Sequence, residues 1–244
     1  MRKLAVILAI VLALLVATLN QKHLHSSDAY LRARIVKLVN AEGSSCTGVE
    51  VKSPKGNVYT LTAAHCKLLL DSNNQMLAID EDGMPHVISF IAEDNSADLL
   101  ILTAMGSKSV TVASSIEDHE QVKAITHGHG FKAFRTDGEL VQEEIIGFNT
   151  GIIATQAQLD DCLAHAPKSV VADGVDMFTG SAYKICMIQT TEVIATPFIM
   201  PGSSGGPLFN AQGQLVGIAS ATSNSDPFGR FVRLVDIQAF LKDM

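Results

Sequence analysis

Charge is scarce in this sequence: Asp, Glu, Lys and Arg make up 18% of 244 residues, against 47% hydrophobic. A disordered chain needs the opposite balance, so the composition is that of a globular protein with a large core. Tryptophan is absent, while glycine is common at 18 residues. No internal repeat is found, which leaves the one or two domains that the length allows. Beyond the N-terminus long apolar runs are also missing. The apolar stretches are short and broken by polar turn clusters, a pattern of β-structure rather than of long helices.

No Lys/Arg-rich stripe occurs. The net charge is −7, and the first 25 residues hold three basic residues (Arg2, Lys3, Lys22) and no acid, leaving 15 basic against 25 acidic residues beyond them. Such a chain is repelled by phosphate backbones and anionic lipid surfaces, so nucleic-acid partners are excluded. At the N-terminus, Arg2 and Lys3 precede an uncharged apolar run from Leu4 to Leu19, which Asn20-Gln21-Lys22 ends. That is the layout of a secretory signal. The run spans ~24 Å as a helix, short of a ~30 Å bilayer core, and its best small-x-small site is Val16-Ala17-Thr18. Residues 1–25 are therefore a cleaved signal or a retained anchor, the one possible contact with a membrane. The domain at 26–244 is exported: secreted, periplasmic or anchored.

Four cysteines in an exported chain suggest two disulfides. None forms a CxxC, which weakens zinc and thioredoxin-like readings. Three pairings are possible, and the order along the chain favours Cys46–Cys66 and Cys162–Cys186. No metal or cofactor is expected. His127-Gly128-His129 lacks a nearby third ligand at a sensible spacing and reads as a loop.

Residues 34–39 read as a first strand. Cys46–Val51 and Val58–Leu61 follow as a hairpin around Ser53-Pro54-Lys55-Gly56-Asn57. Further strands are predicted at 76–80, 86–92, 99–103 and 110–112, a spacing typical of a barrel or sandwich. A second series runs through 121–126, 139–146, 150–155, 185–195, 207–209, 214–221 and 230–235. The acidic stretch from Ile116 to Gln121 reads as the linker. Apolar residues at helical spacing from Val235 to Leu241 predict a short closing helix. The weakest signal is at 156–184, read as a helix at 156–165 followed by a loop.

Three segments carry chemistry. Leu61-Thr62-Ala63-Ala64-His65-Cys66 ends a strand. Asp98 directly precedes the apolar strand Leu99-Leu100-Ile101-Leu102. Pro201-Gly202-Ser203-Ser204-Gly205-Gly206-Pro207 puts a serine in a glycine-rich turn. A serine hydroxyl needs an imidazole to take its proton, and the imidazole needs a carboxylate on its other nitrogen. The oxyanion needs donors already in place, which the amides of Gly202 and Ser204 can supply. Alone, each segment has a bland reading: a buried histidine beside a disulfide, a strand-start aspartate, a mere turn. Together, in the order His, Asp, Ser on an all-β background, they point to a nucleophilic triad.

These residues resemble the chymotrypsin-like (trypsin-like) serine protease family. Thr62-Ala63-Ala64-His65-Cys66 matches its histidine motif in full, and Gly202-Ser203-Ser204-Gly205-Gly206-Pro207 matches its serine motif at all but one position. Gly217-Ile218-Ala219-Ser220 is similar to the strand lining the substrate cleft. The resemblance covers about residues 34 to 241 and implies an all-β fold of two six-stranded antiparallel barrels, about 30–115 and 120–235, with a short C-terminal helix. It implies serine endopeptidase activity on polypeptides through an acyl-enzyme, with His65, Asp98 and Ser204 as triad. It also implies that Cys46–Cys66 is the disulfide beside the histidine, although Cys46-Thr47-Gly48 departs from the usual Cys-Gly-Gly.

Ser203 stands where digestive members carry the aspartate that pairs with a newly freed N-terminus. Arg34-Ile35-Val36 superficially resembles such a cleavage site, yet it lies where the first strand should be. The variant is closer to bacterial high-temperature-requirement and viral members, which need no such activation. Carried across, the resemblance implies a substrate pocket of Phe198, Ser220, Thr222 and Gly229, with Ile199 and Met200 beside Phe198. No acid is there to hold Arg or Lys, so the pocket reads as apolar. The alternative is a catalytically silent protease-fold binding module; an esterase on the same triad is a lesser one.

Overall fold

A computed structural model describes residues 27–128, 132–153, 155–164, 168–175, 182–197, 199–222 and 228–244. The expected leader at 1–25, His129, His165 and Phe198 lie outside the described residues.

A five-residue helix, α1 (Asp28–Arg32), opens the chain, with Ser27 Oγ accepting from Tyr30 N at its start. Then come β1 (Ile35–Val39), β2 (Ser45–Lys52), β3 (Val58–Thr62), a 3-10 helix (Ala64–Leu69), β4 (Gln75–Ile79), β5 (Pro85–Asp94) and β6 (Leu99–Thr103). These strands form a closed barrel in the order β1-β2-β3-β6-β5-β4. The second half holds β7 (Gln121–Thr126), β8 (Phe134–Ile153), α2 (Gln156–Ala164), β9 (Ser169–Val175), β10 (Ala182–Ala195), β11 (Pro207–Asn210), β12 (Leu215–Thr222), β13 (Gly229–Val232) and α3 (Leu234–Leu241). Its strands form a seven-stranded sheet in the order β13-β12-β11-β7-β8-β10-β9, and a further β10–β13 pairing closes all but β9 into a ring.

Strand β6 shows why the halves stay together. All of Leu99, Leu100, Ile101 and Leu102 are fully buried. Alternation along a strand sends them to opposite faces. Leu100 and Leu102 join Val36, Leu38, Met76 and Ile88 inside the first barrel. Leu99 and Ile101 join Ile125, Phe209, Leu215, Ile218 and Val232, all from the second half. One apolar cluster is thus shared by both barrels, and Ile237 and Leu241 of α3 close it from outside.

Three sequence expectations need correction. Residues 110–112 form no strand: Val110 makes an isolated bridge to Val51 and Val112 another to Leu215, so the connecting strap touches each barrel once. The separate strands expected at 139–146 and 150–155 are one 20-residue strand, β8. Its ladder with β10 continues through the glycines that suggested a break. The loop expected after the 156–165 helix contains β9, which pairs along β10. Asp173-Gly174 is a pair that ordinarily favours a turn. In the ladder Gly174 faces Tyr183, and a Cβ at 174 would lie 2.6 Å from the Tyr183 ring. The glycine makes room for an aromatic neighbour instead of turning the chain.

Disulfides join Cys46 to Cys66 and Cys162 to Cys186. The first ties β2 to the 3-10 helix of His65. The second ties α2 to β10 and so staples the extension of the long hairpin. Phe209 is the largest fully buried side chain of the shared cluster. Phe209→Ala is expected to cost about 3–5 kcal/mol in urea denaturation through the cavity left between the barrels.

Candidate active site

His65 and Asp98 meet at the mouth of the first barrel. Asp94 Oδ1 accepts from Ser96 N, Ser96 Oγ and Ala97 N, which pins the loop between β5 and β6. Asp98 then adopts a φ of 54°, a left-handed conformation that Asp tolerates better than most residues. Its carboxylate, 0% exposed, turns back to the 3-10 helix. His65 N donates to Oδ1 at 3.0 Å, and His65 Nδ1 lies 3.0–3.1 Å from the two oxygens. An acid against Nδ1 puts the ring proton there and leaves Nε2 as the acceptor. Burial works to lower the His65 imidazole, but the charge of Asp98 and its hydrogen bond outweigh it, to which Glu192 adds only when it is ionised, and the net direction is up.

From the second half come two tight turns. Ser203 N donates to Met200 O at 2.8 Å with Gly202 at φ 90°, a type II turn with proline and glycine at the favoured positions. Gly206 N donates to Ser203 O, with Gly205 at φ 80°. A Cβ at Gly205 would lie 1.9 Å from Thr62 Oγ1 and 2.2 Å from Thr47 O, so only glycine lets the turn press against the first barrel. Among the described residues the amide N–H groups of Gly202 and Ser204 make no hydrogen bond. Ser204 O accepts from Thr47 N at 2.8 Å, which anchors the serine next to the Cys46–Cys66 bridge. No hydrogen bond joins the Ser204 hydroxyl to the His65 ring among the described residues. Gly202-Ser203-Ser204-Gly205-Gly206 also fits the Gly-x-Ser-x-Gly elbow of α/β-hydrolases. That elbow passes from a strand into a helix, whereas this turn runs into β11.

Ser203 is fully buried. Its hydroxyl pairs with Thr126 Oγ1 at 2.8 Å and accepts from Met200 N at 3.1 Å. Arg34-Ile35-Val36 runs into β1, whose Ile35 and Val36 are core residues, so it is strand and not an exposed cleavage site.

The residues expected at the substrate pocket divide. Gly229 pairs with both Thr222 and Ala195, and a Cβ there would meet Phe231 and Pro197 O. Ser220, in contrast, is 4% exposed and its hydroxyl lies 2.6 Å from Asp98 Oδ2. Ile199 is buried in the core of the second barrel. Met200 contributes its backbone to the turn.

Two residues escaped the sequence reading. Thr47, the departure from Cys-Gly-Gly, is fully buried. Its Oγ1 donates to Gly202 O and accepts from His127 N, each at 2.9 Å, while its carbonyl accepts from Thr62. It joins both barrels to the serine turn. Glu192, 1% exposed on β10, puts Oε1 2.8 Å from Ser220 Oγ. An acid closing the polar run Gln189-Thr190-Thr191 within a predicted strand, on the same face as Thr190, was the available signal. His127 is itself buried, and among the described residues no group of three His, Cys, Asp or Glu could hold a metal.

A sequence profile for the trypsin-like peptidase domain matches residues 46–218, most of the chain and every one of His65, Asp98 and Ser204. The chain belongs to the trypsin-like peptidase family. This trypsin-like peptidase is, by family, a serine endopeptidase acting on polypeptides. No curated protein matches its sequence. Among solved structures, the Rv3671c protease of M. tuberculosis in its inactive form is similar at 17% identity and TM-score 0.58, over 88% of this chain and 90% of that one. The HtrA-type protease AlgW, solved with a tripeptide, is similar at 19% identity and TM-score 0.58, over 88% of this chain and 62% of that one. A serine endoprotease from Yersinia pestis is similar at 18% identity and TM-score 0.56, over 88% and 65%. At these identities the likeness is one of fold.

The trypsin-like peptidase carries a testable titration. His65 is expected to titrate above the ordinary imidazole value of ~6.5 by NMR, and Asp98→Asn is expected to bring it down. Because folding raises this group, its contribution to stability is full below ~6.5 and is lost as pH rises through the folded value.

Proposed function

We propose that the chain cleaves peptide bonds with Ser204 as nucleophile, His65 as general base and Asp98 as its orienting acid. The observation that carries this reading is the pair of unpartnered amides at Gly202 and Ser204, flanking the serine on a turn tied to the His65 loop. As Ser204 Oγ attacks the scissile carbonyl, His65 Nε2 takes its proton, and Asp98 stabilises the imidazolium without becoming protonated. The two amides donate to the developing oxyanion, each worth about 3 kcal/mol in such sites. His65 then gives its proton to the leaving amine. Water repeats the sequence on the acyl-enzyme.

Ser203 supports a second part of the proposal, that no N-terminal cleavage is needed. Its neutral hydroxyl is satisfied by Thr126 and Met200, so the oxyanion turn requires no ammonium partner. An apolar P1 preference rests on the residues expected around the pocket, Phe198, Thr222 and Gly229, none of which neutralises Arg or Lys. Export rests on the N-terminal sequence and is consistent with two disulfides. The missing Ser204–His65 hydrogen bond favours the alternative of a silent binding module, although catalytic contacts in unliganded sites are often long.

A fluorophosphonate is expected to label one serine, Ser204, and Ser204→Ala to abolish turnover while Ser203→Ala keeps much of it. Asp98→Asn is expected to fold and lose about 10⁴ in kcat. Labelling at Ser203, or none, would overturn the triad. On peptides differing only at P1, Leu, Val or Phe is expected to exceed Arg and Lys by about 10² in kcat/KM. Best cleavage after Arg or Lys would remove the apolar pocket.

A further inference from the structure

The triad leaves one buried acid unused. Glu192 Oε1 accepts from the Thr190 hydroxyl at 3.0 Å and lies 2.8 Å from Ser220 Oγ, which itself lies 2.6 Å from Asp98 Oδ2. Ser220 has a single hydroxyl proton to place between two carboxyl groups. If both acids are ionised, one of these contacts sets lone pair against lone pair. A proton on Glu192 Oε1 satisfies both: the carboxylic acid donates to Ser220 Oγ, and Ser220 donates to Asp98. Asp98 is the poorer place for that proton, because it already accepts from His65 N and faces His65 Nδ1.

We infer that Glu192 is a neutral carboxylic acid that positions Asp98 through Ser220, extending the triad into a Glu192–Ser220–Asp98–His65 chain. The inference rests on the triad reading and deepens it. Burial pushes the Glu192 carboxyl up and the charge of Asp98 adds to this, against hydrogen bonds from Ser220 and Thr190 and the charge of Arg230. Among the described residues, Arg230 on β13 forms no ion pair with Glu192, and Glu192 Oε2 has no hydrogen-bond partner. On β8, Glu144, in register with Val193, is engaged by Arg233. Asp98 and His65 complete the charged and titratable groups around it. A neutral acid here holds Asp98 by a hydrogen bond without adding a second anion. Ionised, it takes the donor from Asp98 and raises the proton affinity of His65 further.

Glu192→Gln keeps a neutral donor, whereas Glu192→Leu removes it. An acid raised by folding contributes fully below its unfolded value of ~4.3 and loses that contribution as pH rises. The Tm of E192Q minus that of the natural protein is therefore expected to grow from pH 4 through neutral to alkaline pH. A difference independent of pH means an ionised Glu192 and overturns the inference. In turnover, E192Q is expected within about threefold of the natural protein at neutral pH and without its alkaline decline in kcat/KM, while E192L loses about tenfold in kcat at little change in KM. Identical pH profiles for the natural protein and E192Q overturn the positioning role. If the natural protein hydrolyses nothing and is unlabelled while the Tm difference grows as expected, the triad reading fails and the neutral Glu192 stands.

Discussion

A carboxylate removed from water must be compensated by donors, and at Asp98 those donors come from both halves of the molecule. The first barrel supplies the amide and ring of His65, and the second supplies the Ser220 hydroxyl. An unpaired charge at full burial costs far more than a small domain can absorb. The barrels therefore have to be docked before the buried Asp98 carboxylate has all of its donors. The shared apolar cluster around Ile101, Phe209 and Ile218 provides that docking, and it does so with the non-directional part of the energy. The polar contacts add direction on top.

Thr47 performs the corresponding task for the serine turn. It holds Gly202 through its hydroxyl and Ser204 through its amide, from a strand whose neighbour Cys46 is covalently joined to the residue after His65. His65 and Ser204 thus share one support, although they are far apart in sequence. Gly205 is the reciprocal accommodation on the other side, a residue without a side chain where the two barrels come closest.

The three segments proposed as the triad could be picked out in the sequence because each motif is contiguous: a strand end, an acid before Leu99-Leu100-Ile101-Leu102, a glycine-rich turn. Strand spacing left barrel and sandwich open, and the two barrels came from the family resemblance. Contacts made across the interface were not legible. Thr47 read as a mere departure from a family pattern, and Glu192 drew no reading at all, because their partners are brought to them only by packing. Ser220 was read only as a substrate-pocket residue, and its contact with Asp98 went unseen, since sequence does not tell which way a hydroxyl turns. β9 contains Asp173-Gly174, a pair whose ordinary preference for a turn is overridden by cross-strand packing with Tyr183.

The Ser203–Thr126 contact distinguishes this site from one set by an ion pair. Counterions at physiological salt screen charges over about 8 Å, and protons compete for a carboxylate at low pH. A bond between two hydroxyls answers to neither. The contact that holds the turn bearing the Gly202 and Ser204 amides therefore adds no electrolyte dependence of its own.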